Sequence, residues 1–117
     1  MTAKEIAKAF SNGNFEKTFP FLAADITWMV MGENQFTGKD AVVRNCEQIT
    51  SYFNSVTTDF RTLHVIEDRN KIAITGTAEF SKNGKKISFV SSCDVYEFNP
   101  DNTLARITSY CIPQKSK

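Results

Sequence analysis

The chain has 117 residues, 41% of them apolar and 23% charged, so one packed domain is expected over residues 1–117 and intrinsic disorder is not. Its 14 Lys and Arg against 13 Asp and Glu leave a formal charge of +1, without the concentrated basic footprint that nucleic acid or an anionic membrane surface requires. No apolar run approaches the ~18 residues of a membrane span, and the opening MTAKEIAKAF reads as a helix start rather than a signal peptide, which points to a cytoplasmic protein.

Thr2-Ala3-Lys4-Glu5 matches a capping box, and Ala3, Ile6, Ala7 and Phe10 follow at helical spacing. Asn12-Gly13 stops this first helix. Asn14 is placed to cap a second, short helix carrying Phe15, Phe19 and Leu22, which Pro20 should break because its ring meets the carbonyl four residues back. Asp25 to Met31 (DITWMVM) predicts a first strand, and Gly32 to Gly38 a loop. Thr37-Gly38-Lys39-Asp40 repeats the capping-box pattern ahead of a third helix. Val42, Cys46, Ile49 and Phe53 give that helix an apolar stripe to lay on a sheet.

The remainder predicts strands. Thr57 to Ile66 is one, closed by a turn at Glu67–Asn70; Lys71 to Ser81 is the next, with Ile72, Ile74, Gly76, Ala78 and Phe80 on one side. Asn83-Gly84 marks a tight hairpin, since both of its turn positions need positive φ. Ile87 to Phe98 and Leu104 to Ile112 complete an antiparallel meander. Cys46, Cys93 and Cys111 are odd in number, far apart and unrelated in spacing to His64, so reduced buried thiols are expected, with neither a disulfide framework nor a metal site. No Gly-rich phosphate loop or metal cluster implies a cofactor.

Three phrases carry a family resemblance: NGNFEKTFPFLAADITW (12–28), GENQFTGKDAV (32–42) and SSCDVYEFNPDNTLARITSY (91–110). In this order and spacing they resemble the nuclear transport factor 2-like superfamily, in its SnoaL-like and ketosteroid isomerase-like branch. The resemblance implies an α+β, cystatin-like fold, α-α-β-α-β-β-β-β, in which a cone-shaped curved antiparallel sheet packs on three N-terminal helices. It also implies a pocket inside the cone and a homodimer through the outer sheet face. An antiparallel sheet covered by helices on one side does leave its other side half exposed.

Asp94 is the candidate catalytic residue. It stands mid-strand in SFVSSCDVYEF, and if it points into the cone, Val90, Ser92, Tyr96 and Phe98 point in with it. An apolar surrounding would raise its pKa and suit it to proton transfer near neutral pH. The alternative is a carboxylate that only ties the sheet together through Tyr or Trp. If Phe98 faces Leu104 across the last hairpin, Thr108 lies opposite Asp94 and Tyr110 opposite Ser92. Candidate pocket walls are Phe10, Trp28, Val30, Phe36, Phe53, Phe60, Tyr96 and Tyr110, with core packing the competing role for most of the rings. The family tends to place aromatics at Trp28 and Tyr110. His64 is a further acid–base candidate or a surface residue. Lys82, Lys85 and Lys86 at a hairpin tip oppose edge-to-edge association.

The resemblance also divides the family's chemistries. The oxyanion-binding Asp of ketosteroid isomerases matches Asp94. Their general base falls near Val30 and their oxyanion Tyr near Ile6, neither of which moves a proton. SnoaL-type cyclases use a pocket Asp for aldol closure, and Asp94 is its nearest counterpart. Epoxide hydrolase-like members need an Asp-Arg-Asp set, and the Lys71–Ser81 strand has no Arg. Three readings follow: a cofactor-independent isomerase or cyclase acting on a small apolar carbonyl compound, a non-catalytic binder of such a ligand, or a dimerisation module.

Overall fold

The computed structural model describes residues 1–114. Helix α1 (Ala3–Ser11) begins at the expected capping box: Thr2 Oγ1 accepts from the Glu5 amide while Glu5 Oε1 accepts from the Thr2 amide. It buries Ile6, Ala7 and Phe10 and ends ahead of Gly13, whose φ of +79° a side chain would strain. The second helix is a 3-10 turn, Glu16–Phe21, rather than an α-helix. Pro20 lacks the amide that another turn needs, and the chain passes directly into strand β1 (Leu22–Val30).

The segment expected to be a loop after β1 contains a short strand, β2 (Asn34–Thr37), which folds back antiparallel so that Phe36 lies opposite Trp28. Helix α2 (Lys39–Asn54) follows without the second capping box. Thr37 is held in β2, and Gly38, at φ +92°, turns the chain while its amide donates to the Ile26 carbonyl at 2.7 Å. Val42 and Cys46 on the α2 stripe are fully buried, and Ile49 and Phe53 pack against the same core.

Strands β3 (Thr57–Asp68), β4 (Lys71–Lys82), β5 (Lys85–Phe98) and β6 (Leu104–Pro113) form the expected meander. Asn83 and Gly84 take φ of 54° and 75°, as their hairpin requires. The sheet is not purely antiparallel. Its order is β2-β1-β6-β5-β4-β3, with β1 parallel to β6, so it is a mixed, curved and unclosed sheet with β2 and β3 at its edges. The helices cover its concave face, where Ile72, Ile74, Tyr96, Phe98, Leu104 and Ile107 meet Ile6, Phe10 and Val42.

The last hairpin carries the main correction of register. Phe98 does face Leu104, but a bulge between Glu97 and Phe98 shifts the remaining pairs by one. Asp94 lies opposite Ser109, not Thr108; Ser92 opposite Cys111, not Tyr110; and Tyr110 pairs with Cys93 on the outer face, where it is 44% exposed. The cysteines are all free, but only Cys46 is buried. Among the described residues no helix is long and apolar enough to cross a membrane.

Candidate functional site

Alternation along β5 places Asp94 and Tyr96 on the concave face, and the bulged hairpin sets Ser109 of β6 beside Asp94. Parallel pairing of β1 with β6 then sets Trp28 opposite Ile107 and Val30 opposite Ser109. The end of α1 crosses above and lowers Ser11 onto the same spot. Ser11 Oγ donates to Asp94 Oδ2 at 2.9 Å and lies 2.5 Å from the Tyr96 hydroxyl. With the one Ser11 proton committed to the carboxylate, the Tyr96 hydroxyl donates to Ser11. On the other side, Trp28 Nε1 donates to Ser109 Oγ at 3.0 Å, and the Ser109 hydroxyl in turn favours the Asp94 carboxylate. Two short relays, from a tyrosine and a tryptophan, thus converge on one carboxyl group.

Burial raises the Asp94 pKa above the ordinary carboxylate range, against the opposing hydrogen bonds from Ser109, Ser11 and Tyr96. The Tyr96 phenol is pushed well upward by its complete burial and by the neighbouring Asp94 charge, so it stays a proton donor. Cys111, next to the pair and exposed on one side, is raised to about 11 by partial desolvation, then by the charges of Asp94 and Glu33.

Asp94, Ser109 and Ser11 line a cleft of about 340 Å³ between α1, α2 and the sheet. Its walls are mostly rings. Phe10 and Trp28 meet edge to face at 5.0 Å between centroids, Phe36 lies 5.8 Å from Trp28, and Phe15 stacks on Phe53 at 6.3 Å. Val30 and Ile49 complete the apolar lining, and Glu33, Asn34 and Asn45 supply polar groups around it. A wider groove of about 640 Å³ runs outside the 3-10 turn along α2, separated from the cleft by Phe15. Its charged residues, Glu16, Lys17 and Glu47, are all solvent-exposed.

Of the residues singled out in the sequence, Asp94, Trp28, Val30 and Phe53 line the cleft, as do Phe10 and Phe36. Tyr96 lies beneath it, fully buried, and touches its lining at Ser11 and Asp94. Tyr110 and His64 face the opposite side of the sheet. Phe60 packs edge to face against Phe53 and Phe80 instead. Ser11, Ser109 and Glu33 escape sequence reasoning. Ser11 continues the Ala3–Ala7 line of α1 at four-residue spacing, and Ser109 follows Ile107 by two, but nothing local distinguishes either from a surface serine.

Comparison with known proteins follows the same lines. The SnoaL-like domain family matches residues 3–107. A nuclear transport factor 2-like protein of unknown function from Cytophaga hutchinsonii is 32% identical, with TM-score 0.83 over 92% of this chain and 94% of its own. A candidate SnoaL-like polyketide cyclase from Shewanella denitrificans superposes at TM-score 0.72 with 14% identity, covering 93% and 89% of the two chains. A candidate isomerase of the SnoaL-like family from Agrobacterium tumefaciens does so at 0.69 with 13% identity, covering 92% and 94%. No curated protein gives a significant match. The matched family spans α1 through the first residues of β6 and stops short of Ser109 and Cys111, and the chain belongs to the SnoaL-like domain family.

Proposed function

We propose that the cleft takes a small, largely apolar carbonyl compound and that Asp94 moves a proton on it, in an isomerisation or an aldol-type ring closure without a cofactor. The observation that carries this reading is the position of Asp94: a carboxyl group of raised pKa opening into a cleft walled by aromatic rings. As a carboxylate, Asp94 would take a proton from the carbon beside the carbonyl, leaving an enolate. It would then return that proton to another carbon of the substrate, completing an isomerisation. In a ring closure the enolate carbon would instead form a bond to a second carbonyl carbon, and Asp94 would protonate the resulting alkoxide oxygen. Ser11 and Ser109 hold the carboxyl group in place during either exchange, and its raised pKa makes the carboxylate a stronger base than an exposed one. The isomerase and cyclase descriptions of structural neighbours support the same classes of reaction.

Asp94→Asn keeps the size of the side chain and removes the titratable carboxyl group. Loss of turnover on ketone and lactone substrates, with an unchanged fold by circular dichroism, is the expected result; full retained turnover rejects the role. A second reading, binding without conversion, draws on the apolar Val30 and the wholly buried Ile6, which leave Asp94 without a second acid–base group at the positions the family uses. Tight binding of the same compounds with no conversion by the wild-type chain would select it. We also propose that a second copy of the chain covers the outer face of the sheet, where Ile66, Tyr110 and Ile112 are 63%, 44% and 68% exposed.

A further inference from the structure

The charges lining the cleft are of one sign. Asp94 is the acidic group on its floor, and Glu33 stands exposed in the β1–β2 turn at its rim. Among the described residues no Lys, Arg or His lines it. The nearest cations face elsewhere: Arg44 of α2 lines a separate depression on the far side of Phe36 and Asn45, and Lys17 lies in the groove beyond Phe15. The remaining polar lining is neutral, from Ser11, Ser109, Asn34 and Asn45.

We infer that this arrangement selects ligands by charge, with Glu33 as the specificity-determining residue that turns away carboxylates and phosphates and leaves the cleft to uncharged carbonyl compounds. The inference rests on the reading of the cleft as a ligand site and narrows its substrate class. An anion entering past Glu33 gives up its hydration in an apolar cleft and meets no positive partner there, so desolvation and repulsion act in the same direction. A neutral ketone loses little hydration by comparison and finds the side-chain amides of Asn34 and Asn45 as donors at the polar end. The volume of about 340 Å³ suits a one- or two-ring compound and not a substrate carried whole on a long phosphorylated arm.

The test is calorimetric titration of the full chain with acetonaphthone and naphthoate, which share a ring system and differ in charge. Wild type should bind the ketone at least about tenfold more tightly than the carboxylate at low salt. Glu33→Gln should narrow that ratio about threefold or more, and added salt should narrow it in wild type but less in the variant, because an exposed charge is screened. Naphthoate binding as tight as the ketone, or a ratio that Glu33→Gln leaves unmoved, overturns the inference while leaving the cleft a ligand site. If neither compound binds, the ligand-site reading itself fails and the inference falls with it.

Discussion

Asp94 is held by hydroxyl groups that favour its charge in surroundings that oppose it, and burial has the larger effect. The sign of the pH dependence follows. In the folded chain Asp94 keeps its proton to a higher pH than in the unfolded chain, so between the two pKa values the folded state binds more protons and stability falls as pH rises. Its contribution is fully present below about pH 4 and is lost as pH climbs through the folded pKa. Melting temperatures of wild type and Asp94→Asn should show wild type losing ground to the variant as pH rises above about 4; wild type gaining ground with pH would refute the assignment. The same residue explains part of what the sequence made legible. Period-two alternation places Asp94 on the face of Tyr96 and Phe98 without any knowledge of neighbouring strands. Ser11 and Ser109, which complete its surroundings, come from other elements, and a serine has no local pattern that announces a buried partner.

At the scale of elements, the bulges decide what lies beside what. The bulge at Glu97–Phe98 exchanges Thr108 and Tyr110 for Ser109 and Cys111 on the inner face, an inversion that a one-residue shift always produces. A second irregularity, between Thr62 and His64 on β3, leaves Leu63 unpaired opposite β4. Gly76 sits at that point, and a Cβ built on it would lie 2.6 Å from the Arg61 carbonyl oxygen. Gly76→Ala should therefore cost about 2 kcal/mol in chemical denaturation, because a backbone atom rather than a flexible side chain must yield. A loss under a few tenths would mean the bulge is soft. Neither bulge could be read from sequence, since an extra residue in a strand of mixed polarity disturbs no periodicity. Strand β2 was hidden for a related reason: its four residues lie between Gly32 and Gly38 and follow no run of branched side chains. The capping box at Thr2, the Asn83-Gly84 turn and the α2 stripe were legible because each depends on residues within a few positions of one another.

For the molecule as a whole, the helices and the meander followed from pattern, whereas the mixed sheet order did not. Pairing of β1 with β6 joins segments from opposite ends of the chain, and no local rule selects that partner over β3. The uncovered face of the sheet carries the proposed self-association. Ile112→Glu, on β6, should shift the chain from dimer to monomer in light scattering, with its secondary structure retained; a wild-type monomer at micromolar concentration would remove the proposal. The face is mixed in character, with Lys86 paired to Glu79 at 3.3 Å near its margin, so charge limits how far an apolar contact extends.

The parallel seam has a temporal consequence. Trp28 and Ser109 come together only across it, and Ser109 is among the last residues of the sheet to leave the ribosome. Until β6 arrives, β5 is an open edge, the β1–β2 hairpin has no neighbour, and Asp94 lacks the hydroxyl of Ser109. Such long-range closure is slow compared with hairpin formation, so the cleft is complete only once β6 has paired with β1 and β5. A nascent chain stalled before Leu104 would display the helices and the β3–β5 part of the meander but offer a ligand nothing to enter.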